Sequence, residues 1–293
     1  MTGIGRWGRL AIVGLPFAWL AVFFLLPFLI VAGISLSDSA DTIPPYTPLA
    51  TWTPSGIEAH LSLANYRALA DGCLAAYTGS LVNAALATVL CLALGYPVAY
   101  AVARAPRAWR QPLLFFVILP FWTSFLIRVY AWIAILQPSG LVNRLLLAAG
   151  LVDEPLPLLY NGFAVQLGLV YSYLPFMILP IYGALSRLDR DLIDAAADLG
   201  ARPVAAFWRI VWPLSLPGVA AGALLVFIPA MGEFVIPDLL GGPETLMVGR
   251  LLWQEFFDNV DWPAAAALAT ALLAALTLPL LAAQRLVERE RAT

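Results

Sequence analysis

A chain of 293 residues with 62% hydrophobic and 12% charged side chains is too apolar for a soluble domain, where the fractions run at about 45–50% and about 25%. All 16 basic residues are Arg, the single His is His60, and the formal net charge is −2. Without Lys there is no Walker A phosphate loop and no lysine Schiff base; one His with Cys73 and Cys91 falls short of an ordinary zinc site, and a Ser-His-Asp triad would have to rest on His60.

The composition predicts an all-α membrane protein, and the spans follow from runs of roughly 20 residues free of Asp, Glu and Arg. The first run is Leu10 to Ser37, preceded by Arg6 and Arg9. It is far longer than the apolar region of a signal peptide, about 7–15 residues, so it is expected to remain as an anchor. Asp38 to Asp71 then forms an outer connection, Pro-rich at Pro44, Pro45, Pro48 and Pro54, with an amphipathic stretch at Leu61 to Leu69. Residues 1–75 make an N-terminal part, and 76–284 a core of five further helices.

In that core Gly72 to Ala103 is the second span, and Pro112 to Leu136 reads as one span carrying Arg128 toward its outer end. Gln137 to Glu154 holds a short helix-like run at Leu141 to Leu151. Pro155 to Ser186, Ile210 to Gly232 and Trp262 to Gln284 complete six transmembrane helices, followed by a tail at 285–293. The connection Pro237 to Asp261 is rich in acids and Gly. Cys73 and Cys91 read as small packing residues.

Cytoplasmic loops retain positive charge. The N-terminus, the connections at Arg104 to Arg110 and Arg187 to Arg209, and the C-terminus hold 12 of the 16 Arg but only 6 of the 18 acids. Both termini are therefore expected on the cytoplasmic side. The outward face is left acidic, which concentrates cations near the mouth of any pathway.

The cytoplasmic segment 187–213 reads RLDRDLIDAAADLGARPVAAFWRIVWP. Its early Asp residues suit the positive end of a helix, Gly200 a helix stop, Pro203 a second helix start, and Pro213 the opening of the fifth span. Those features also fit an ordinary amphipathic loop. The spacing of Asp194-Ala195-Ala196, Gly200, Ile210 and Trp212-Pro213, however, resembles the coupling motif of permease subunits of bacterial ATP-binding-cassette importers, with Asp in place of Glu and Trp in place of Leu.

Ser62 to Arg67, Gly95 to Tyr100, Leu119 to Arg128, Gly232 to Gly242, Leu252 to Phe257 and Asp261 to Pro263 resemble the polyamine branch of that family, most closely its putrescine importers. The resemblance implies a type I importer fold in the bacterial inner membrane, with Asp194 to about Arg202 as the helix that docks on a separate ATPase. It implies a paralogous second permease, two ATPase copies and an extracytoplasmic polyamine-binding protein as partners, beside membrane lipid and without nucleic acid. No cofactor and no catalytic site are expected here, ATP being used by the partner. Permeases for iron, sulfate or other solutes share the motif. A stand-alone channel or secondary transporter would share the six spans.

Two charges fall inside predicted spans, Arg128 and Glu233. At about 1.5 Å per residue both are expected in the outer part of the bilayer. Either they pair, because an unpaired charge there costs about 2.5–3.5 kcal/mol, or Glu233, Phe234 and Asp238 line an outer gate that receives an ammonium group while Arg128 orients it. Glu244, Glu255, Asp258 and Asp261 read as a solvated surface or as a docking face. Tyr171, Tyr173 and Phe176 read as packing residues or as ligands.

Overall fold

Hydrocarbon leaves each backbone polar group to find its partner within the protein, and a helix does so within its own segment. The computed structural model describes residues 6–53, 56–189 and 191–292. In chain order it contains α1 (Arg6–Leu20), a π turn (Ala21–Leu25), α2 (Leu26–Ile34), an antiparallel hairpin of β1 (Ala50–Thr53) and β2 (Gly56–Ala59), α3 (Ala64–Gly72) and α4 (Leu74–Arg104). Next come α5 (Arg107–Ile118), a 3-10 turn (Leu119–Trp122), α6 (Phe125–Leu136), α7 (Leu141–Ala148) and α8 (Gly162–Ser186). The connection after α8 holds α9 (Asp191–Asp198) and α10 (Pro203–Ala206), which runs through a π turn (Phe207–Val211) into α11 (Trp212–Met231). The chain closes with α12 (Val235–Leu240), α13 (Val248–Trp253), a π turn (Gln254–Asp258) and α14 (Trp262–Ala292).

Among the described residues five stretches are long and apolar enough to cross a membrane: Ile12–Ile34, Leu74–Arg104, Phe125–Ala148, Gly162–Ser186 and Pro203–Met231. The sixth expected span lies within α14, whose apolar part among those residues is Trp262–Thr277. The third departs from expectation. Pro112 to Leu136 is not one helix but α5 and α6, separated by the 3-10 turn and extended backbone at Thr123 and Ser124. Pro120 sits in that turn without an N–H to continue the helix, and the Thr123 hydroxyl donates to its carbonyl at 2.7 Å. The outer connection after α2 also differs, since it contains the β1–β2 hairpin where irregular chain was expected.

Two compact units emerge, 1–74 with 251–293, and 75–250. In the first, α3 closes the end of α2. Asn65 Nδ2 donates to the carbonyls of Ser35 (3.2 Å) and Ser37 (2.8 Å), and the Tyr66 hydroxyl meets Ser35 Oγ at 2.7 Å. These bonds satisfy carbonyls that a helix end leaves without partners. Helix α14 packs on α2 and α3, Trp262 stacks on Phe256 at 5.2 Å, and Asp261 Oδ1 caps α14 by accepting from Ala264 N at 3.0 Å. Asp261 is thus a helix cap in a surface segment.

In the second unit α8 and α11 form the main helix pair. Gly222 lets them close, because a Cβ there would collide with Met177. Their core is Leu169, Met177, Ile181 and Val226, all fully buried, and α4 joins it through Ala84, Ala87 and Cys91. Near the start of α11 the Tyr96 hydroxyl bonds Ser215 Oγ at 2.9 Å, tying α4 to α11.

Candidate functional site

The described residues of 187–213 are built as the residue pattern predicts. Asp189 Oδ1 accepts from Asp191 N at 3.2 Å, and Asp191 and Asp194 lie in the first turn of α9, where the helix dipole favours them. Gly200 has φ +79°, a conformation that costs other residues about 1–2 kcal/mol. Its N–H reaches Ala197 O at 2.8 Å and that of Ala201 reaches Ala196 O at 2.9 Å, the paired bonds of a Schellman stop. Pro203 is the first residue of α10. The regular helix therefore runs Asp191–Asp198, earlier than the Asp194 to Arg202 expected for it.

One face of this hairpin looks inward. Ile193 and Ala197 help line a cleft of about 270 Å³ with Tyr100, Arg104 and Phe207. Ile210 is half-buried in the π turn, and Pro213 stands exposed in the first turn of α11. The other face carries apolar side chains into the open: Leu199 is 88% exposed, Trp208 58% and Leu192 48%, beside the exposed Asp194 and Ala195.

The residues named for an outer gate lie on a strap, 232–250, whose large apolar side chains are packed, while Glu244 and Asp258, read as a solvated surface, are exposed. Ile236, Leu240, Met247 and Val248 are fully buried. Helix α12 packs on α6 and α8. Val248 N donates to Ser80 Oγ of α4 at 2.8 Å. A Cβ on Gly249 would collide with the carbonyl oxygens of Gly232 and Glu233, so the strap folds tightly back on its own start.

Glu233, only 9% exposed, heads this strap. Its Oε1 accepts from Val235 N at 3.1 Å and Ile236 N at 3.5 Å, capping α12, while Oε2 accepts from the Tyr173 hydroxyl of α8 at 2.5 Å. The expected pairing with Arg128 is not what the structure shows. Tyr173 and two backbone donors occupy the carboxylate. The Arg128 guanidinium instead lies over Phe121 (4.9 Å) and Phe125 (5.7 Å), with buried Nε and Nη1 lacking hydrogen-bond partners among the described residues.

Edge-to-face contact joins Phe121 to Phe176 at 5.2 Å, and Phe176 lies 6.2 Å from Tyr173, so an aromatic series links the guanidinium to the carboxylate. Tyr171 meets Trp132 of α6 at 5.4 Å. Phe234 is half-buried at the start of α12. Asp238 is 48% exposed, and its Oδ1 lies 3.3 Å from Nε of Arg250. Sequence reasoning missed Tyr173 and Arg250 as partners of these acids. Arg250 had a signal, being the sole basic residue between Arg209 and Arg285.

Residues 94–292 match the family model described as "binding-protein-dependent transport system inner membrane component". The chain is 39% identical over 264 residues to the spermidine/putrescine transport system permease protein PotB of Escherichia coli (strain K12), covering 90% of this chain and 92% of that one. It is 38% identical over 283 residues to the Haemophilus influenzae protein of the same name, covering 95% and 94%. A crystal structure of a bacterial transporter that imports the polysaccharide alginate shares the fold at a TM-score of 0.69, with 14% identity and coverage of 97% and 96%. On these grounds the chain belongs to the binding-protein-dependent inner-membrane permeases, the transmembrane subunits of ATP-binding-cassette importers.

Proposed function

We propose that this chain is the permease subunit of a polyamine importer. It forms half of a pore with a paralogous second permease, takes its drive from two copies of a separate ATPase seated on 187–213, and receives cargo from an extracytoplasmic binding protein. Both termini face the cytoplasm in this reading. The carrying observation is the 39% identity over nine-tenths of the chain to a spermidine/putrescine permease. Putrescine is the cargo favoured by the residue pattern at 232–263, and spermidine has equal support from the names of the relatives.

The chemistry fits such cargo. A polyamine presents ammonium groups separated by apolar carbons, and needs contacts strong enough to guide it and weak enough to release it. Cation–π contacts of about 0.5–2 kcal/mol have that strength. Asp238, half-exposed and paired with Arg250, offers a carboxylate at which an ammonium competes with a guanidinium. In this reading Phe234, one helical turn before Asp238, supplies the aromatic contact. Glu233, already satisfied by Tyr173, holds the gate's shape and leaves the cargo to Asp238. ATP binding closes the ATPase dimer, the hairpin carries that motion, and the bundle alternates between inward- and outward-facing forms. This subunit performs no covalent chemistry.

The test is reconstitution of both permeases, the ATPase and the binding protein in proteoliposomes, with uptake of radiolabelled putrescine and spermidine measured against ATP. ATP-dependent uptake of either supports the reading, and their ratio names the preferred cargo. Uptake of neither, or transport by this chain without the ATPase, overturns it. Asp238→Asn should cut uptake while leaving assembly and basal ATP hydrolysis intact.

A further inference from the structure

Arg128 is placed against every local preference of a cation. It lies in the first turn of α6, at the positive end of the helix dipole, where positive charge is unfavourable. Among the described residues its buried Nε and Nη1 have no hydrogen-bond partner, and the faces of Phe121 and Phe125 lie against the guanidinium. Guanidinium groups do not shed their proton in proteins, so the charge stays.

Its depth compounds the cost. Phe176, joined to Arg128 through Phe121, stands ten residues from Ser186 at one end of α8, a rise of about 15 Å, or half the hydrocarbon thickness. Arg128 thus lies deeper than the outer position expected from its count along the third span, and an intramembrane charge without a charged partner among the described residues is a functional feature by default. The break at Thr123 and Ser124 sharpens this, because it starts a new helix there and so adds the dipole of α6 to the guanidinium.

We propose that Arg128 and the α6 N-terminus form an electrostatic barrier that keeps small monovalent cations from following the cargo. The inference rests on the reading of the path as one for organic cations and deepens it. A membrane potential negative inside draws potassium and protons inward through any route built for cations. An Arg combined with the positive ends of short helices is a known physical means of turning them back. At an effective dielectric near 20, a unit charge slows a monovalent cation that passes at about 8 Å roughly thirtyfold. A polyamine crosses the same field with its charges several ångströms apart, so one ammonium meets the barrier while another keeps a carboxylate or aromatic partner. A potassium ion has no second charge to leave behind.

The experiment uses the complete complex in proteoliposomes during ATP turnover with binding protein present, and reads potassium flux with a trapped fluorescent indicator. Arg128→Met should raise flux by roughly tenfold or more. Phe125→Glu offers a second route, placing a carboxylate one turn from Arg128 at a helix start that favours acids; with Arg128 present but neutralised it should also leak. Wild-type flux in both Arg128→Met and Phe125→Glu overturns the barrier. Loss of the second permease from the purified Arg128→Met complex, with no leak in Phe125→Glu, overturns it too by making Arg128 an assembly residue. Polyamine uptake in the wild-type complex reads the cargo assignment separately, so a wrong cargo and an absent barrier give different results.

Discussion

The strap at 232–250 and the hairpin at 187–213 are connections of similar length, yet they dispose of their apolar and polar groups in opposite ways. The strap buries Ile236, Leu240, Met247 and Val248 and engages two of its three acids, Glu233 with Tyr173 and Asp238 with Arg250. The hairpin satisfies its backbone locally and leaves Leu192, Leu199 and Trp208 in the open. A segment that meets its needs within its own chain is built to hold a shape. One that exposes large apolar side chains from a rigid support is built to meet another surface.

Substitutions can break that contrast. The largest effect is expected at Gly249, where Gly249→Val forces a side chain into the carbonyls of Gly232 and Glu233. Uptake should be lost and the thermal midpoint of the purified permease should fall, by about 1–3 kcal/mol or more of stability. Glu233→Ala removes the cap of α12 and the tie to α8, at about 1.5–3 kcal/mol. Tyr173→Phe should cost about 1 kcal/mol, and a double-mutant cycle should show the two residues coupled.

In the hairpin the losses should fall on coupling rather than on the fold. Gly200→Ala meets open space but an unfavourable φ, so about 1 kcal/mol of local destabilisation should appear as faster amide exchange at 199–201, with weaker ATPase stimulation. Leu199→Ser should leave permease stability within about 0.5 kcal/mol while reducing co-purification of the ATPase. A fall in thermal midpoint for Leu199→Ser matching that for Gly249→Val would erase the distinction.

The hairpin was legible in the residues because its determinants are local: Asp at a helix start, Gly at a stop, Pro at the next start. The strap was not. Its Gly and acids are also the composition of a solvated loop, and only the tertiary fold shows that Gly249 serves close approach and that Glu233 finds a tyrosine 60 positions earlier in sequence. The Arg128 expectation failed for a related reason. Charge economy favours a partner of opposite sign, but Tyr173 and the α12 amides had already satisfied that carboxylate. Pro120 did carry a signal for the broken third span, overridden by the apolar run on either side of it.

Gly222, pressed against Met177, has a mechanical meaning as well. Helices α8 and α11 are in backbone contact there, and the hairpin hangs between Ser186 of one and Trp212 of the other. In the proposed cycle, torque delivered at α9 enters both helices together and the pair turns as a single crank, with the hydrogen bond from Tyr173 to Glu233 on its far arm.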